Sequence, residues 1–382
     1  METRIAIDAR MMSSNFGIGR YIQQLTKHLE QTAPDTMEFF LFMKRDNWNE
    51  FKPQRDNFQK VLADINWYGV EEQLKMPNKI RQVDPDLVHF PHWNIPLFYQ
   101  GKFVVTIHDL IMFHFPRPEA TTRSRLIYWF KDKVHRYLVK KAVTKSHHII
   151  TPSNFTKEDI LTTFGVDQEK ISVIYQAPFE EKTETEKFKQ LKQSYNLERP
   201  YVFYLGSAYP HKNLENLLQA WQQFQQQETS QLNPDKYQLI LAGKKDYFYK
   251  KLVESKLYQN NSNLTYIGAV SDSELKTLYK EAELFVFPSL YEGFGLPPLE
   301  ALTENTPSLV SDKASLPEVL QECANYTDTT NPDQFAKDLE KILTNKSLQK
   351  EILSNSKQLL DSYSWKQLSK DTLDVYKRAL QD

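Results

Sequence analysis

Short apolar segments alternate with amphipathic stretches in two successive series along the 382-residue chain, and this pattern limits the folds that the chain can adopt. Tyr21, Leu25 and Leu29 follow the first apolar segment at helical spacing. Alternation of strand and helix predicts parallel sheets whose strands are buried on both faces. The strands predicted in the first series are RIAIDA from Arg4, EFFLFM from Glu38, LVHF from Leu87, FVVTIHD from Phe103, HHIITPS from His147 and ISVIYQ from Ile171.

A highly charged stretch separates the two series and predicts four regions. We expect a first domain over 1–178, a linker over 179–200, a second domain over 201–363 and a terminal helix over 364–382 that crosses back to the first domain. The fold class is therefore α/β, with two Rossmann-like parallel-sheet domains that face each other across a cleft. The strands predicted in the second series are YVFYLGS from Tyr201, YQLILAG from Tyr237, LTYIGA from Leu264, LFVFPS from Leu284 and SLVSD from Ser308.

Composition excludes several classes of function. Lys and Arg number 48 against 49 Asp and Glu, a formal net charge of -1, so nucleic acid is not expected as a partner. A single cysteine, Cys323, favours a reducing compartment. The first residues carry charges where a signal peptide would be apolar. We expect a cytoplasmic protein, either free or peripheral at the inner membrane face.

The segment SLYEGFGLPPLEAL over 289–302 follows a predicted strand and has the composition of a ligand-binding turn. Glu292 and Glu300 are separated by seven residues, the first in a glycine-containing loop and the second one turn into a helix. Gly293 and Gly295 allow main-chain N–H groups to approach an anionic or hydroxylated ligand. A strand-to-helix turn with capping acids is the structural alternative, and a glycosidase carboxylate pair is a further one.

The sequence of this segment closely resembles the signature of the retaining, nucleotide-sugar-dependent glycosyltransferases of family 4, which adopt the GT-B fold. The resemblance extends along nearly the whole chain, through NFGIGRYI, FVVTIHDLIMFHFP, TPSNFTKEDI, YLGSAYPHKNLENLLQAW and IGAVSDSELKTLY. It implies that Glu292 contacts the donor hexose and Glu300 the ribose hydroxyls. Main-chain amides would complete the donor site, near Gly293, Phe294, Gly295 and Leu296 for sugar and phosphate and near Ala269 and Val270 for the base.

The stretch GSAYPHKN places a lysine between the end of a strand and the start of a helix. A point charge there suits a diphosphate leaving group, and Lys212 resembles the phosphate-binding lysine of the family. Where many relatives carry an arginine after the glycine, this chain has Ser207. His211 either supplies a hydrogen bond or charge to the donor or is a solvated turn residue.

The stretch NFGIGRYI places Gly17 and Gly19 between the first strand and the first helix. The third glycine of a dinucleotide fingerprint is replaced by Ile22, which argues against a dehydrogenase. By resemblance this loop borders the donor phosphate and the acceptor.

Histidines cluster near the ends of two predicted strands. By resemblance His108 is the active-site histidine that hydrogen-bonds the donor sugar, and a buried core histidine is the alternative. His89 and His92 lack acidic or cysteine partners at ligand spacing, so no metal and no other cofactor are expected. The loop of His92, Trp93 and Asn94 is predicted to lie on the acceptor side.

Residues 121–145 contain eight Lys or Arg and one Asp, a formal charge of +7. An apolar stripe of Leu126, Phe130, Val134 and Leu138 lies between the basic flanks. The helix either rests on anionic lipid as a peripheral contact or docks this stripe on the domain core.

Together these features predict a retaining, metal-independent glycosyltransferase. The expected donor is a nucleotide-diphosphate sugar, with GDP-mannose favoured by similarity to mannosyl-transferring relatives, and the expected acceptor is a glycan or a lipid-linked glycan. Two alternatives stay open, a nucleotide-sugar epimerase on the same fold and a non-catalytic nucleotide-sugar-binding protein.

Overall fold

A computed structural model describes residues 2–13, 17–120, 125–178, 188–226, 236–261 and 263–381. Its first elements, in chain order, are β1 (Thr3–Asp8), α1 (Ile18–Thr32), β2 (Met37–Met43), β3 (Phe58–Leu62), α2 (Val70–Val83), β4 (Leu87–Phe90), β5 (Phe103–Thr106), α3 (Ile111–His114), α4 (Arg125–Lys145), β6 (His148–Thr151), α5 (Asn154–Phe164) and β7 (Ile171–Val173). The elements that follow are α6 (Phe188–Ser194), β8 (Tyr201–Leu205), α7 (Leu214–Gln226), β9 (Gln238–Ala242), α8 (Tyr247–Val253), α9 (Lys256–Gln259), β10 (Leu264–Gly268), α10 (Asp272–Lys280), β11 (Leu284–Phe287), α11 (Leu296–Thr303), β12 (Ser308–Ser311), α12 (Leu316–Leu320), β13 (Asn325–Thr327), α13 (Pro332–Thr344), α14 (Lys346–Ser354), α15 (Ser356–Ser362) and α16 (Trp365–Gln381).

The described chain forms two compact units, whose boundaries depart from simple chain order. Unit 1 comprises Met1–Phe113, Arg123–Gln176 and Ser364–Asp382, so the terminal helix α16 belongs to it. Unit 2 comprises His114–Thr122 and Ala177–Tyr363. The predicted linker over 179–200 differs from this division, because its described part contains α6, which packs beside α10 in unit 2.

Unit 1 contains a parallel sheet with strand order β3-β2-β1-β4-β5-β6-β7 in the described residues. Ile5 of β1 lies opposite Phe39 of β2 and Leu87 of β4, and all three side chains are buried. A strand buried on both faces must be apolar at successive positions, which is why apolar runs in the sequence predicted the strands of this sheet other than β3. Helix α16 packs against α1 and against the sheet, with Trp365 and Tyr376 fully buried.

Unit 2 contains a second parallel sheet, with strand order β10-β9-β8-β11-β12-β13. Phe203 of β8 pairs with Ile240 of β9 and with Phe285 of β11. Parallel strands direct all their carboxyl ends to one edge, and ligands of open α/β sheets bind at that edge. The loops after β8, β10 and β11, together with the start of α11, carry the donor residues predicted in this unit, so the topology places these residues along the same edge of unit 2.

The first part of α4 does not dock its apolar stripe on the domain core, which was one of the two alternatives expected from the sequence. Phe130 is 64% exposed and Val134 39%, whereas Val139, Ala142 and Val143 near the end of the helix are buried. Leu126 lies outside the described side chains. The stripe therefore does not dock on the core at Phe130 or Val134. No helix among the described residues combines the length and the apolar character needed to span a membrane.

Candidate donor site

The centre of the site is an ion pair between two loops of unit 2. Nζ of Lys212 contacts Oε1 of Glu292, and both side chains are largely buried, at 15% and 11% exposure. Lys212 ends a short turn after β8, and Glu292 lies in the loop after β11. Because β8 and β11 are paired neighbours, their following loops emerge side by side. The main chain reinforces this contact, since the amide of Leu290 donates to the carbonyl of His211 at 2.7 Å.

The loop after β12 supports the glutamate loop from the other side. The buried hydroxyl of Ser315 lies 3.0 Å from the carbonyl oxygen of Glu292 and 2.9 Å from that of Phe294. A single hydroxyl proton is thus shared between two carbonyls of the predicted donor loop. Ser315 fixes the path of the main chain on which the Gly293 and Leu296 amides depend.

Gly295 is required where the donor loop enters α11. Its φ of +99° lies in the left-handed region, and a Cβ there would stand 2.6 Å from Cδ2 of Leu316. Any larger residue would meet both the backbone penalty and the clash. The sharp turn presents the N-terminus of α11, which begins at Leu296, at the sheet edge beside Glu292.

Glu300 lies on α11, one turn from its start, as the sequence predicted. Its Oε2 accepts a hydrogen bond of 3.2 Å from the hydroxyl of Tyr279, which is buried on α10. The structure therefore joins Lys212 to Glu292 directly, and holds Glu300 on the adjoining helix by a separate contact.

His211 is a buried residue rather than a solvated one. Burial, with the positive charges of Lys212 and Arg117, lowers the pKa of His211 to about 2. The ring is therefore neutral near pH 7 and adds no charge to the site. Ser207 lies at the end of β8, where its carbonyl accepts a hydrogen bond of 2.7 Å from Tyr204.

Ala269 and Val270 form the loop between β10 and α10, with Ala269 exposed and Val270 almost buried. β9 separates β10 from β8 in the sheet. Two strand spacings amount to about 10 Å. The predicted base-binding loop therefore lies on the same edge as Lys212 but about two strands away.

The remaining predicted residues belong to unit 1, and His108 is fixed there through both ring nitrogens. Its Nε2 is 2.9 Å from the carbonyl of Pro91, so that nitrogen carries the proton. Nδ1 then accepts from the side-chain amide of Gln176 at 3.2 Å. The ring also packs edge-on against Tyr21 at 4.7 Å between centroids. Burial lowers the pKa of His108 to about 4.

Gly17 and Gly19 lie at the start of α1, as predicted. Gly17 precedes the helix with a φ of +78°, and a Cβ on Gly19 would stand 2.8 Å from the carbonyl oxygen of Met11. The two glycines therefore bring the loop after β1 against the first helical turn.

His89 and His92 do not form a metal site with His108. His89 is bonded to Tyr376 and to Thr106, at 2.7 and 2.9 Å, and Nε2 of His92 is 2.9 Å from the hydroxyl of Tyr68. Within the described ranges, no group of three or more His, Cys, Asp or Glu side chains has an arrangement that could hold a metal ion.

The predicted acceptor loop rests on a buried charge network. Asn94 donates to Glu72 at 2.7 Å, and Glu72 pairs with Arg10, which also pairs with Asp8. Burial raises the pKa of Glu72, although the charge of Arg10 opposes that shift. Beside the network, Trp93 stacks on Tyr68 with ring centroids 5.2 Å apart.

Sequence reasoning missed several residues that shape these sites. Ser315, Tyr279 and Gln176 act through hydrogen bonds to residues distant in the chain, which periodicity does not detect. The buried Asp8 and Arg10 offered one signal, since charged residues directly after an apolar strand demand a partner.

Comparisons with known proteins identify the family of the chain. A family model described as Glycosyltransferase Family 4 matches residues 17–177, and one described as Glycosyl transferases group 1 matches residues 184–359. The O-antigen chain mannosyltransferase RfbU of Salmonella typhimurium is 33% identical over 277 residues, which cover 71% of this chain and 68% of the relative. The O-antigen chain mannosyltransferase B of Escherichia coli is 27% identical over 388 residues, covering 94% and 96%.

The fold has solved counterparts as well. The sucrose-phosphate synthase of Thermosynechococcus elongatus superposes with a TM-score of 0.74 at 16% identity, covering 98% of both chains. The two family models divide the chain near the boundary between its two main sheets, and each sheet is of the Rossmann type. The chain therefore belongs to the family 4 glycosyltransferases, and its two parallel-sheet units are the Rossmann-like domains of the GT-B fold.

Proposed function

We propose that this protein transfers a mannosyl residue from GDP-mannose to a glycan or lipid-linked acceptor, without a metal ion and with retention of the anomeric configuration. The observation that carries the proposal is the Lys212–Glu292 ion pair at the ligand-binding edge of unit 2. A cation and a carboxylate placed together there match the two chemical needs of a sugar diphosphate, a charge for the phosphates and an acceptor for hydroxyl groups.

The surroundings of the pair support a nucleotide-linked donor. The N-terminus of α11 adds positive potential beside Glu292, and Glu300 on the same helix supplies a second carboxylate for vicinal hydroxyls. The Ala269–Val270 loop lies about 10 Å away across the sheet edge, a span that suits the distance from a diphosphate to a base. Mannose is favoured because the two relatives described above are O-antigen chain mannosyltransferases.

The reaction follows from charge placement rather than from an enzymic nucleophile. Lys212 and the main-chain amides stabilise the diphosphate as the bond to the sugar breaks, and the departing diphosphate accepts the proton of the acceptor hydroxyl on the same face. His108, neutral and held by Pro91 and Gln176, contributes orientation of the sugar. The acceptor binds at the stacked rings of Trp93 and Tyr68, since aromatic faces suit sugar rings.

A nucleotide screen followed by a transfer assay tests the proposal. Thermal unfolding of the full chain is measured with GDP, UDP, ADP and dTDP. A ligand at a hundred times its dissociation constant raises the free energy of unfolding by about 2.7 kcal/mol. GDP should give the largest shift. GDP-mannose should then yield GDP in an acceptor-dependent reaction that EDTA leaves unchanged, and NMR of the product should show the anomeric configuration of the donor. Interconversion of the donor sugar without an acceptor would instead identify an epimerase, and binding without turnover a non-catalytic protein.

A peripheral contact with anionic lipid through residues 121–145 forms part of the proposal. Trp129, 60% exposed, and Phe130 stand on α4 among Lys131, Lys133 and Arg136. An aromatic surface with basic flanks is suited to the interface of an anionic bilayer.

Vesicle flotation measures this contact directly. Wild-type protein should float with phosphatidylglycerol vesicles and not with phosphatidylcholine vesicles, and a Trp129→Ser/Phe130→Ser double variant should lose most of that binding. Tyr247→Ser, which changes an exposed aromatic residue of unit 2, serves as the matched control. Equal flotation of the double variant and wild type would refute the contact.

A further inference from the structure

The ion pair of the donor site leaves a deficit of positive charge for a diphosphate. Lys212 is already paired with Glu292, so the two together carry no net charge. The low pKa of His211 keeps that ring neutral. Lys212 is also the only Lys or Arg in the loop sequences 206–213 and 288–296, because position 207 is serine. A diphosphate therefore needs a further cation from outside these two loops.

The segment His114–Arg117 lies against both loops of the site. This segment is part of unit 2, although its first residue is the last of α3, whose other residues belong to unit 1. His114 stacks on Tyr291, with ring centroids 5.3 Å apart, and Tyr291 directly precedes Glu292 in the chain. The ring centroid of Phe115 lies 6.0 Å from that of His211, and His211 directly precedes Lys212 in the chain. The segment thus runs across the two loops that carry the ion pair.

Arg117 places a guanidinium at this junction. Its Cζ lies 3.7 Å from the ring centroid of Tyr209, within the turn that leads to Lys212. A guanidinium presents five N–H donors in its plane, and stacking on a ring engages its face. Arg117 and Lys212 both lower the pKa of His211, so both positive charges act on the same imidazole.

We infer that Arg117 is the second cation that binds the donor diphosphate, in place of the side chain that Ser207 does not supply. The guanidinium fork suits two phosphate oxygens, and its stacking on Tyr209 orients it before the ligand arrives. This inference rests on the proposed function, since it concerns how the same donor is held.

Calorimetric titration of the full chain separates a phosphate contact from a packing role. GDP and guanosine are titrated into wild type, Arg117→Gln and Arg117→Lys. Loss of a charge-assisted contact should weaken GDP about 10- to 100-fold in Arg117→Gln and leave guanosine unchanged. Arg117→Lys keeps the charge without the fork, so its loss should be smaller. Arg199→Gln, at the opposite end of β8, is the matched control and should bind both ligands as wild type does.

Each result decides the inference. An unchanged ratio of GDP to guanosine affinity in Arg117→Gln overturns it, and an equal weakening of both ligands assigns Arg117 to the packing of Tyr209 alone. If wild type prefers UDP, ADP or dTDP, the comparison is made with that nucleotide and its nucleoside. If wild type binds none of the four, the proposed function fails and the inference fails with it, which is distinct from failure at Arg117.

Discussion

At Lys212 and Glu292, opposite charges hold two loops of unit 2 together. In the proposed reaction a diphosphate competes with Glu292 for the lysine, so donor binding would redistribute existing hydrogen bonds instead of creating a new charge site. This arrangement keeps Lys212 positioned, since a lysine side chain otherwise has about 2 kcal/mol of rotamer entropy to lose.

Lys212→Ala should lower kcat by about a hundredfold or more, because the main charge that stabilises the leaving diphosphate is lost. Steady-state kinetics with GDP-mannose measure the effect, and thermal unfolding separates it from instability caused by the unpaired Glu292. Lys350→Ala, on the exposed surface of α14, should retain wild-type kinetics. Near-normal turnover in Lys212→Ala would remove the assigned role.

Gln176 donates one hydrogen bond to the unprotonated Nδ1 of His108. The amide donates to Nδ1, which the proton on Nε2 leaves as an acceptor. In Gln176→Glu a carboxylate replaces the donor, favours a proton on Nδ1 and raises the pKa of His108. The acidic limb of the kcat/KM profile should therefore move to higher pH.

Gln176→Leu provides the comparison for that profile, because it removes the hydrogen bond without adding charge. It should lower activity at every pH and leave the acidic limb in place. Identical profiles for Gln176→Glu and Gln176→Leu would show that His108 does not control the reaction.

At the scale of elements, the start of α11 depends on its neighbour α12. Ser315, immediately before α12, lies within hydrogen-bond distance of two carbonyls of the loop that leads into α11. Ser315→Ala should cost about 1–3 kcal/mol of stability, since buried carbonyls lose their donor. It should also raise the KM for the donor more than it lowers kcat, because the displaced loop amides bind the ground state as well.

Ser354→Ala is the matched control, because Ser354 makes a comparable hydrogen bond, to the carbonyl of Glu351, on the exposed end of α14. Chemical denaturation and steady-state kinetics are measured on both variants. A donor KM for Ser315→Ala that equals the control value would limit Ser315 to a structural role.

The burial of each strand explains whether it could be predicted from the sequence. Most positions of the central strands are apolar, so their runs of Val, Ile, Leu and Phe identified them. The strands β3 and β13 escaped detection because each lies at the edge of its sheet and is only partly buried, with the sequences FQKVL and NYT.

The candidate site was predictable where one local motif holds the chemistry. Glu292, Gly295 and Glu300 lie within a single strand-to-helix segment, and the resemblance to the family covers that segment. Ser315 and Gln176 could not be predicted, because each reaches its partner only after the chain has folded over 20 to 70 residues of separation.

For the molecule as a whole, helix α16 completes unit 1 from the far end of the chain. His89 of β4 is fully buried and is bonded to Tyr376 of α16. The neutral ring is therefore part of how the chain terminus is held on the sheet. Arg10 with Asp8 and Glu72 forms a second buried polar cluster in the same unit.

Acid should loosen this attachment. Burial lowers the pKa of His89 to about 3, whereas an unfolded histidine titrates near 6.5. Between these values the unfolded chain binds more protons than the folded one, so stability falls as the pH falls. At pH 5 the low pKa of His89 alone lowers the free energy of unfolding by about 2 kcal/mol.

Scanning calorimetry at pH 7.5 and pH 5.0 measures that contribution as a difference between variants. At pH 7.5, His89→Gln should unfold at a lower temperature than wild type, because the substitution disturbs the contacts with Tyr376 and Thr106. Its unfolding temperature should fall less than that of wild type on acidification to pH 5.0, because no proton is taken up at position 89. His114→Gln changes an exposed histidine and should lose as much as wild type does. The buried histidines His92, His108 and His211 titrate in all three proteins, so the difference between variants reports His89 together with its electrostatic coupling to His108. Equal acid sensitivity in His89→Gln and wild type would mean that the coupling of α16 to unit 1 does not depend on a neutral His89.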